Sequence, residues 1–482
     1  MKVVDAKKLL ENLCAEPRET SWLEFKASYF NADEVGRYVS GLANAAILEG
    51  QSRAYLVYGV ENDTHKIIGT EVSLKDEKVG NEIFEHWLTR GLDPRLTVDF
   101  VSLDYKGKRV ELILIDPAYQ RPVRFRQIAY IWVDSILKEL REYPERERSL
   151  WIATSRFAFE RGIAAHHIAL AQLYELFDPE QFLAMLGQQR ASQARMAQRL
   201  VEMGYLINDR QGAYDVTNLF ALLAGKDLST FPSLATKAPR VIQYKGRKKL
   251  DGVGDVTGRL GYALGFGKLL AYIMSRMPHT EIMVMGVRKN SYPVPEIAIR
   301  EFVANALIHQ DFTLPGHPTI EVFDNKIQIT NPGSPLVDVS RFIDAPSKSR
   351  NEALASSMRA IGLCEERGSG VDRALSAIEE EALPAPLFQA IENSTVVNVF
   401  RPQDFSAMSR EDRIRACYQH AQLRFENGTP MSNQSLRRRL GVSDRQYPQI
   451  SVVIKDAIEA RLIRPLDLEQ SNRKARYVPH YI

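Results

Sequence analysis

The sequence predicts an α/β chain, of the α+β multidomain kind, and three observations carry that prediction. A length of 482 residues is more than one hydrophobic core holds and fits three or four domains. Short apolar, β-rich runs alternate with stretches of helical period along the whole chain. Charge is uneven: the net value is only +3, yet Met431 to Ile482 carries 10 Lys/Arg against 5 Asp/Glu. Four segments follow, 1–148, 149–226, 227–402 and 403–482.

Composition narrows the function classes. Hydrophobic residues make up 45% and charged residues 26%, ordinary for a globular protein. The small net charge excludes a global field demanding a polyanion, so any nucleic-acid surface must be local. Cys14, Cys364 and Cys417 lie far apart without metal spacing, which points to a reducing, cytoplasmic setting and no zinc or disulfide framework. No secretory signal is read before the first polar residues, and the most apolar stretch, Leu260 to Met277, contains Lys268 and Arg276. A buried helix is expected there, with no membrane partner.

In the first segment a helix is expected over Asp5 to Leu13, a strand over Leu23 to Lys26, a helix over Asp33 to Ala46, and strands over Ala54 to Val60 and Val110 to Ile115. Alternation puts Glu24 and Lys26 on one strand face and Phe25 on the other, a pattern that a plain surface ion pair also satisfies. Lys106, Lys108, Arg109, Arg121, Arg124 and Arg126 form a basic rim, either solvated or facing a polyanion. The motifs E-x-x-x-x-E-F-K, L-A-N-A and Y-G-V-E, within residues 15–135, resemble the AlbA-like Schlafen domain. That resemblance implies a nucleic-acid-binding fold. Nuclease members hold a divalent metal on three acids. Glu19 and Glu24 match the first two, and Glu61 stands where an Asp is usual. A second Mg²⁺ or Mn²⁺ there would activate water for phosphodiester cleavage, with Lys26 steadying the transition state.

The second segment reads as helices Glu180 to Leu186 and Ala191 to Met203, then a polar turn before Ala213 to Val216. This is a winged-helix order, and either DNA contact through Arg190, Arg195 and Arg199 or a purely structural connector satisfies it.

The third segment carries the chemistry. Strands are expected at Val241 to Tyr244 and Glu281 to Val287, and Pro293 and Pro295 lead into a helix over Glu301 to Phe312. Its period places Glu301, Asn305 and His309 on one stripe. A carboxylate one turn before a neutral amide suits nucleotide hydrolysis, the amide oxygen binding Mg²⁺ and the carboxylate orienting or deprotonating water. Two strands, Ile320 to Phe323 and Ile327 to Ile329, run into Asn331-Pro332-Gly333, and Glu365 to Gly370 precede a helix near Val371. Glycines at such junctions let backbone N–H groups approach phosphates.

The runs R-E-F-V-A-N-A-L-I-H-Q-D-F (300–312), I-T-N-P-G (329–333), S-R-N-E-A-L-A (349–355) and E-R-G-S-G-V-D-R (366–373) together resemble the ATP-binding domain of the GHKL superfamily, in its divergent RecG-like form. The resemblance implies an α/β sandwich binding ATP and Mg²⁺. Glu301 would be the water-activating base, Asn305 the Mg²⁺ ligand and His309 a further contact. Asn331 with Gly333 would lie at the adenine end, Arg350 and Asn351 in a lid, and Gly368 with Gly370 in the second glycine box. Gln310 stands where the divergent group carries Arg, and the first glycine box is shortened. GHKL lids close against a second subunit, so a homodimer or higher homo-oligomer is implied.

The last segment is expected to fold as a winged helix-turn-helix: a helix over Glu411 to Arg424, a Ser432-capped helix to Leu440, a turn, a helix over Asp444 to Ala460, and a wing from Leu462-Ile463 and Arg476 to Val478. Arg445, Gln446 and Tyr447 would open the recognition helix, with Arg437, Arg438 and Arg439 on phosphates or on a solvated face. DNA or RNA is the expected partner.

Three functions fit. One is an ATP-binding, weakly hydrolysing, nucleotide-gated regulator acting in transcription control or phage defence. Another is a metal-dependent Schlafen-type nuclease gated by the ATP domain, and the third a scaffold holding a structural nucleotide.

Overall fold

The computed structural model describes residues 6–16, 20–62, 64–117, 121–133, 136–155, 159–209, 211–278, 280–284, 287–345, 348–364, 369–467 and 475–482. The mixed α/β class holds. The chain divides into two compact units, Met1–Glu175 with Ala191–Phe220, and Leu176–Arg190 with Ala221–Ile482. The segment expected to be a connector is thus shared between the two.

In the first unit, strands Leu23–Lys26, Ala54–Tyr58, Lys108–Ile115 and Val98–Tyr105 form a sheet in that order. The first pairing is parallel and the other two antiparallel. Helix Ala32–Leu48 covers it, its start fixed by Asn31, whose side chain accepts the Glu34 N–H at 3.1 Å. Gly36 lets this helix close on Phe125, because a Cβ there would lie 2.3 Å from the ring. The asparagine of L-A-N-A, Asn44, is a structural latch. Fully buried, it donates to the carbonyls of Val123 and Tyr130, both at 2.9 Å, and accepts the Val123 N–H at 2.7 Å. Strands Ile163–Ile168, Tyr214–Thr217 and Leu206–Asn208 make a separate antiparallel sheet beside helix Gln193–Glu202.

The second unit is built on a six-stranded sheet in the order Gly252–Thr257, Arg240–Tyr244, Thr319–Val322, Lys326–Pro332, Ser394–Phe400, Leu387–Ile391. Only the pairing of Arg240–Tyr244 with Thr319–Val322 is parallel. Helices Tyr262–Ser275, Glu296–Ile308 and Gly370–Glu380 complete the layer. Phe302, Val303 and Leu307 of the middle helix, with Ile320, Val322, Ile327 and Ile329 of the sheet, are buried in the core. The stretch read as one strand around Glu281 to Val287 is a hairpin, Thr280–Val284 with Val287–Ser291. The site helix starts earlier than its period suggested, at Glu296 behind Pro295, and ends at Ile308, where His309 is the C-cap.

The same unit contains helices Arg410–Glu426, Asn433–Arg439 and Tyr447–Glu459 and the hairpin Ile463–Pro465 with Tyr477–Pro479. Ser432 and Ser435 form a capping box at the second helix. Cys417, Leu436, Ile450, Ile454 and Ile463 fill a local core. Among the described residues no helix is long and apolar enough to cross a membrane.

Candidate functional site

Helix Glu296–Ile308 presents its polar stripe to an open-mouthed cleft with about 1280 Å³ of empty space, the solvent at its mouth included. Glu301, Asn305, His309, Asn331 and Gly370 all line it, together with Ser334 to Val337, Phe342 and Ser349. Five of the residues singled out from sequence therefore meet at one cavity.

Glu301 is 1% exposed, and burial pushes its carboxyl above the ordinary carboxylate range, partly offset by Arg300 and Arg373. Arg300 lies 3.4 Å from it and donates to the Gly362 carbonyl at 2.7 Å. A carboxyl raised in this way accepts a proton more readily than an ordinary carboxylate. Burial, and then the charge of Arg350, pull His309 below its ordinary value, so the neutral imidazole is favoured. Burial also raises the Cys364 thiol on the cleft wall.

Two residues expected over the phosphates have other work. Asn351 is buried and donates to the carbonyls of Ile308 at 2.6 Å and Gln310 at 2.8 Å, tying off the C-terminus of the site helix. Its amide is not free for a ligand. Arg350 pairs with Asp311 at 2.8 Å and donates to the Ser334 carbonyl at 3.0 Å. Gly333 is needed for closeness: with φ at +123°, a Cβ would sit 2.7 Å from the Arg350 guanidinium, and its own N–H goes to Asn393 at 2.6 Å. Gln310 is buried against Tyr262, its amide donating to the phenol oxygen at 2.5 Å. Gly368 lies outside the described residues.

A Mg²⁺-nucleotide fits these donors better than a free ion does. Among the described residues no group of three His, Cys, Asp or Glu side chains can hold a metal, whereas Mg²⁺ beside phosphates needs only one or two protein ligands. The hydroxyl of Ser349 is buried on the cleft wall and has no hydrogen-bond partner among the described residues. Such an orphan calls for a ligand or water.

Sequence reasoning missed the wall formed by residues 334–345 and what holds it. The Ser340 carbonyl accepts from Tyr418 at 3.2 Å and Gln422 at 2.9 Å, both on helix Arg410–Glu426. Arg341 stacks over Tyr481 at 3.8 Å. Helix Gly370–Glu380 starts at the cleft, and in its last turn Glu379 is bound by His420 at 2.8 Å and Arg439 at 3.0 Å. Arg439, expected on a phosphate or on a solvated face, is 4% exposed and also donates to the Leu383 carbonyl at 2.7 Å; it is an interior clamp. Arg437 pairs with Asp444 and lies over the Tyr447 ring, while Arg438, Arg445 and Tyr447 are exposed and Gln446 caps at Ser443.

The acidic trio is not assembled among the described residues. Glu24 is buried and pairs with Lys26 at 2.6 Å. Burial pulls the Lys26 ammonium down, but the Glu24 bond and charge more than offset it and hold it above its usual range. Glu61 is exposed and accepts from Thr64 at 2.5 Å, and Glu19 lies outside the described residues. In the basic rim, Arg121 pairs with Asp93, and Arg126 with Asp33 at 2.6 Å.

Comparisons with known proteins agree with both halves of this picture. Residues 19–141 match the family model described as Schlafen, AlbA_2, and residues 316–399 match the one described as the C-terminal part of putative ATP-dependent DNA helicase RecG. The chain thus carries an AlbA_2-type Schlafen domain and a RecG-like ATPase-type domain. The second match begins after the site helix and does not include Glu301 or Asn305. No curated protein matches the chain. A crystal structure of the DIP2311 protein from Corynebacterium diphtheriae aligns over 98% of this chain and 96% of its own, with 18% identity and a TM-score of 0.42, too loose a likeness to carry detail between the two.

Proposed function

We propose that this protein is an ATP-binding, slowly hydrolysing regulator that holds nucleic acid under nucleotide control. The single observation that supports gating is the double grip on the cleft: residues 338–345 are fastened through Ser340 to helix Arg410–Glu426, and helix Gly370–Glu380 is fastened through Glu379 to Arg410–Glu426 and to Asn433–Arg439. A ligand that shifts either wall therefore shifts the winged-helix candidate. Glu301 serves as general base toward the water that attacks the terminal phosphoryl group, and Asn305 supplies the protein oxygen to Mg²⁺. Bound Mg²⁺ would neutralise phosphate charge. Asn331 faces the base, and the Ser349 hydroxyl finds its partner on the nucleotide. Arg438, Arg445 and Tyr447 offer the exposed contacts to nucleic acid. The AlbA_2-type domain serves as a second nucleic-acid module.

The deciding experiment is a calorimetric titration of full-length protein with ATP and with a non-hydrolysable analogue, in the presence of Mg²⁺. Saturable binding that is weakened by Asn305→Ala is the expected result. A flat titration with wild-type protein removes the nucleotide from the mechanism altogether.

A further inference from the structure

A run of four cations in five residues of the second unit lies outside every site considered above. Strands Arg240–Tyr244 and Gly252–Thr257 are joined by a turn that contains Lys245, Arg247, Lys248 and Lys249, followed by Leu250. All four cations are exposed, and Leu250 is 81% exposed. This is an edge hairpin of the six-stranded sheet with a basic tip.

The turn is held, not loose. The Lys245 N–H donates to the Asp251 carbonyl at 2.8 Å, and the Asp324 N–H donates to the Gly246 carbonyl at 3.0 Å. Gly246 takes a φ of +86°, which allows the chain to bend there. Lys249 reaches back to buried Glu321 at 2.7 Å, and Gln328 shares that carboxylate at 2.9 Å. One cation thus anchors the tip. The other three, Lys245, Arg247 and Lys248, have no side-chain hydrogen-bond or ion-pair partner among the described residues. Nearby negative charge comes from Asp251 and Asp324, too little to neutralise them. Several other arginines of this unit behave differently: Arg341, Arg350, Arg410, Arg415, Arg437 and Arg439 are all paired with carboxylates.

Three like charges pinned within a few residues repel one another, and a fold that keeps them together without internal partners leaves them for an external polyanion. We propose that this hairpin tip is a contact for the phosphate backbone of nucleic acid, contributed by the ATP-binding domain itself. The inference rests on the reading that the chain binds nucleic acid, and adds where and how. A backbone contact of this type reads no sequence; it positions the duplex or strand and sets salt dependence. An anionic lipid surface is the weaker match, because a single leucine on a fixed turn buries far less apolar surface than stable membrane anchoring requires.

The test uses full-length protein, a fluorescent mixed-sequence duplex, a mixed-sequence single-stranded RNA, and vesicles of anionic phospholipid, each titrated at several salt concentrations. The variants are Lys245→Gln/Arg247→Gln/Lys248→Gln, and the charge-preserving Lys245→Arg/Arg247→Lys/Lys248→Arg. The expected result is at least a tenfold loss of affinity in the glutamine variant. Its log–log salt slope on duplex falls by about 2.7, from about 0.9 for each phosphate contact. The charge-preserving variant binds as wild type, and both variants keep the wild-type melting temperature. If the glutamine variant binds nucleic acid with unchanged affinity and slope, the hairpin proposal is overturned while nucleic-acid binding by the chain stands. If wild type binds neither probe, the underlying reading fails with it. Loss of vesicle binding with nucleic-acid binding intact overturns the proposal in favour of a lipid contact.

Discussion

If the C-terminal helices sense the nucleotide, the grip on Ser340 is the shortest route by which they do so. The variant Tyr418→Phe/Gln422→Leu removes both donors to the Ser340 carbonyl, and also the longer contact from Gln422 to Asp344 at 3.4 Å, while keeping side-chain volume close to native. Each intramolecular hydrogen bond contributes a net of about 0.5–1.5 kcal/mol. Ser340 is exposed, so water replaces the lost donors and the cost stays near the lower values. The whole tether is then worth about 2 kcal/mol, or roughly thirtyfold in an equilibrium constant, and thirtyfold is the most that coupling through it can lose. Coupling between two ligands is reciprocal. Nucleic-acid affinity should therefore be measured with and without Mg²⁺ and a non-hydrolysable ATP analogue, and analogue affinity with and without nucleic acid. In wild type the two ratios should agree. In the variant both should fall toward one by the same factor, with each separate affinity within a few fold of native. A variant whose coupling ratio equals that of wild type refutes the route through Ser340, however much stability it has lost.

Glu301→Gln should lower phosphate release by about 10²–10⁴-fold with little change in nucleotide affinity, since it removes the base and not the binding surface. Because burial raises the Glu301 carboxyl, wild-type turnover should be lost with falling pH above the ordinary carboxylate range; a pH–rate profile checks this. Asp372 is raised to about 6 by burial and then by Glu426 and Asp344. The folded state therefore binds this proton more tightly than the unfolded chain, and stability declines as pH rises through about 4 to 6. Asp372→Asn escapes that loss: it should be more stable than wild type by about 1 kcal/mol above pH 7, after discounting for solvent screening, with no advantage below about pH 4, as read from urea midpoints. Arg439→Met leaves Glu379 with only His420 and should cost about 3–5 kcal/mol, whereas adding Glu379→Gln should recover part of it; a double-mutant cycle of denaturation midpoints measures both.

What was legible in the sequence was whatever a local period could carry. Helical spacing alone placed Glu301, Asn305 and His309 together, and they do share a cleft. Strand alternation put Glu24 beside Lys26, and the ion pair formed there at 2.6 Å is the plainer of the two readings that the alternation allowed. The wall at 334–345 was missed because it has no period: it is a loop whose shape is set by an Asx turn at Asp338 and by partners nearly eighty positions later in the chain.

The three consecutive arginines mark the boundary of such reasoning most sharply. Arg437, Arg438 and Arg439 are chemically identical and were read together, as phosphate contacts or a solvated face, yet each successive residue of a helix turns by about 100°. Arg437 consequently meets Asp444, Arg438 faces solvent, and Arg439 points inward at Glu379 and the Leu383 carbonyl. Which arginine turns inward is decided by the helix Gly370–Glu380, some sixty residues earlier, and no spacing rule within 437–439 contains that information. The same holds for Asn351, whose amide was expected over phosphates and instead closes the end of the site helix. Polar residues near a site are thus divided between ligand and scaffold by long-range packing, which is why residues left without partners among the described residues, Ser349 at the cleft and Lys245, Arg247 and Lys248 at the hairpin tip, are the ones to which external ligands are assigned.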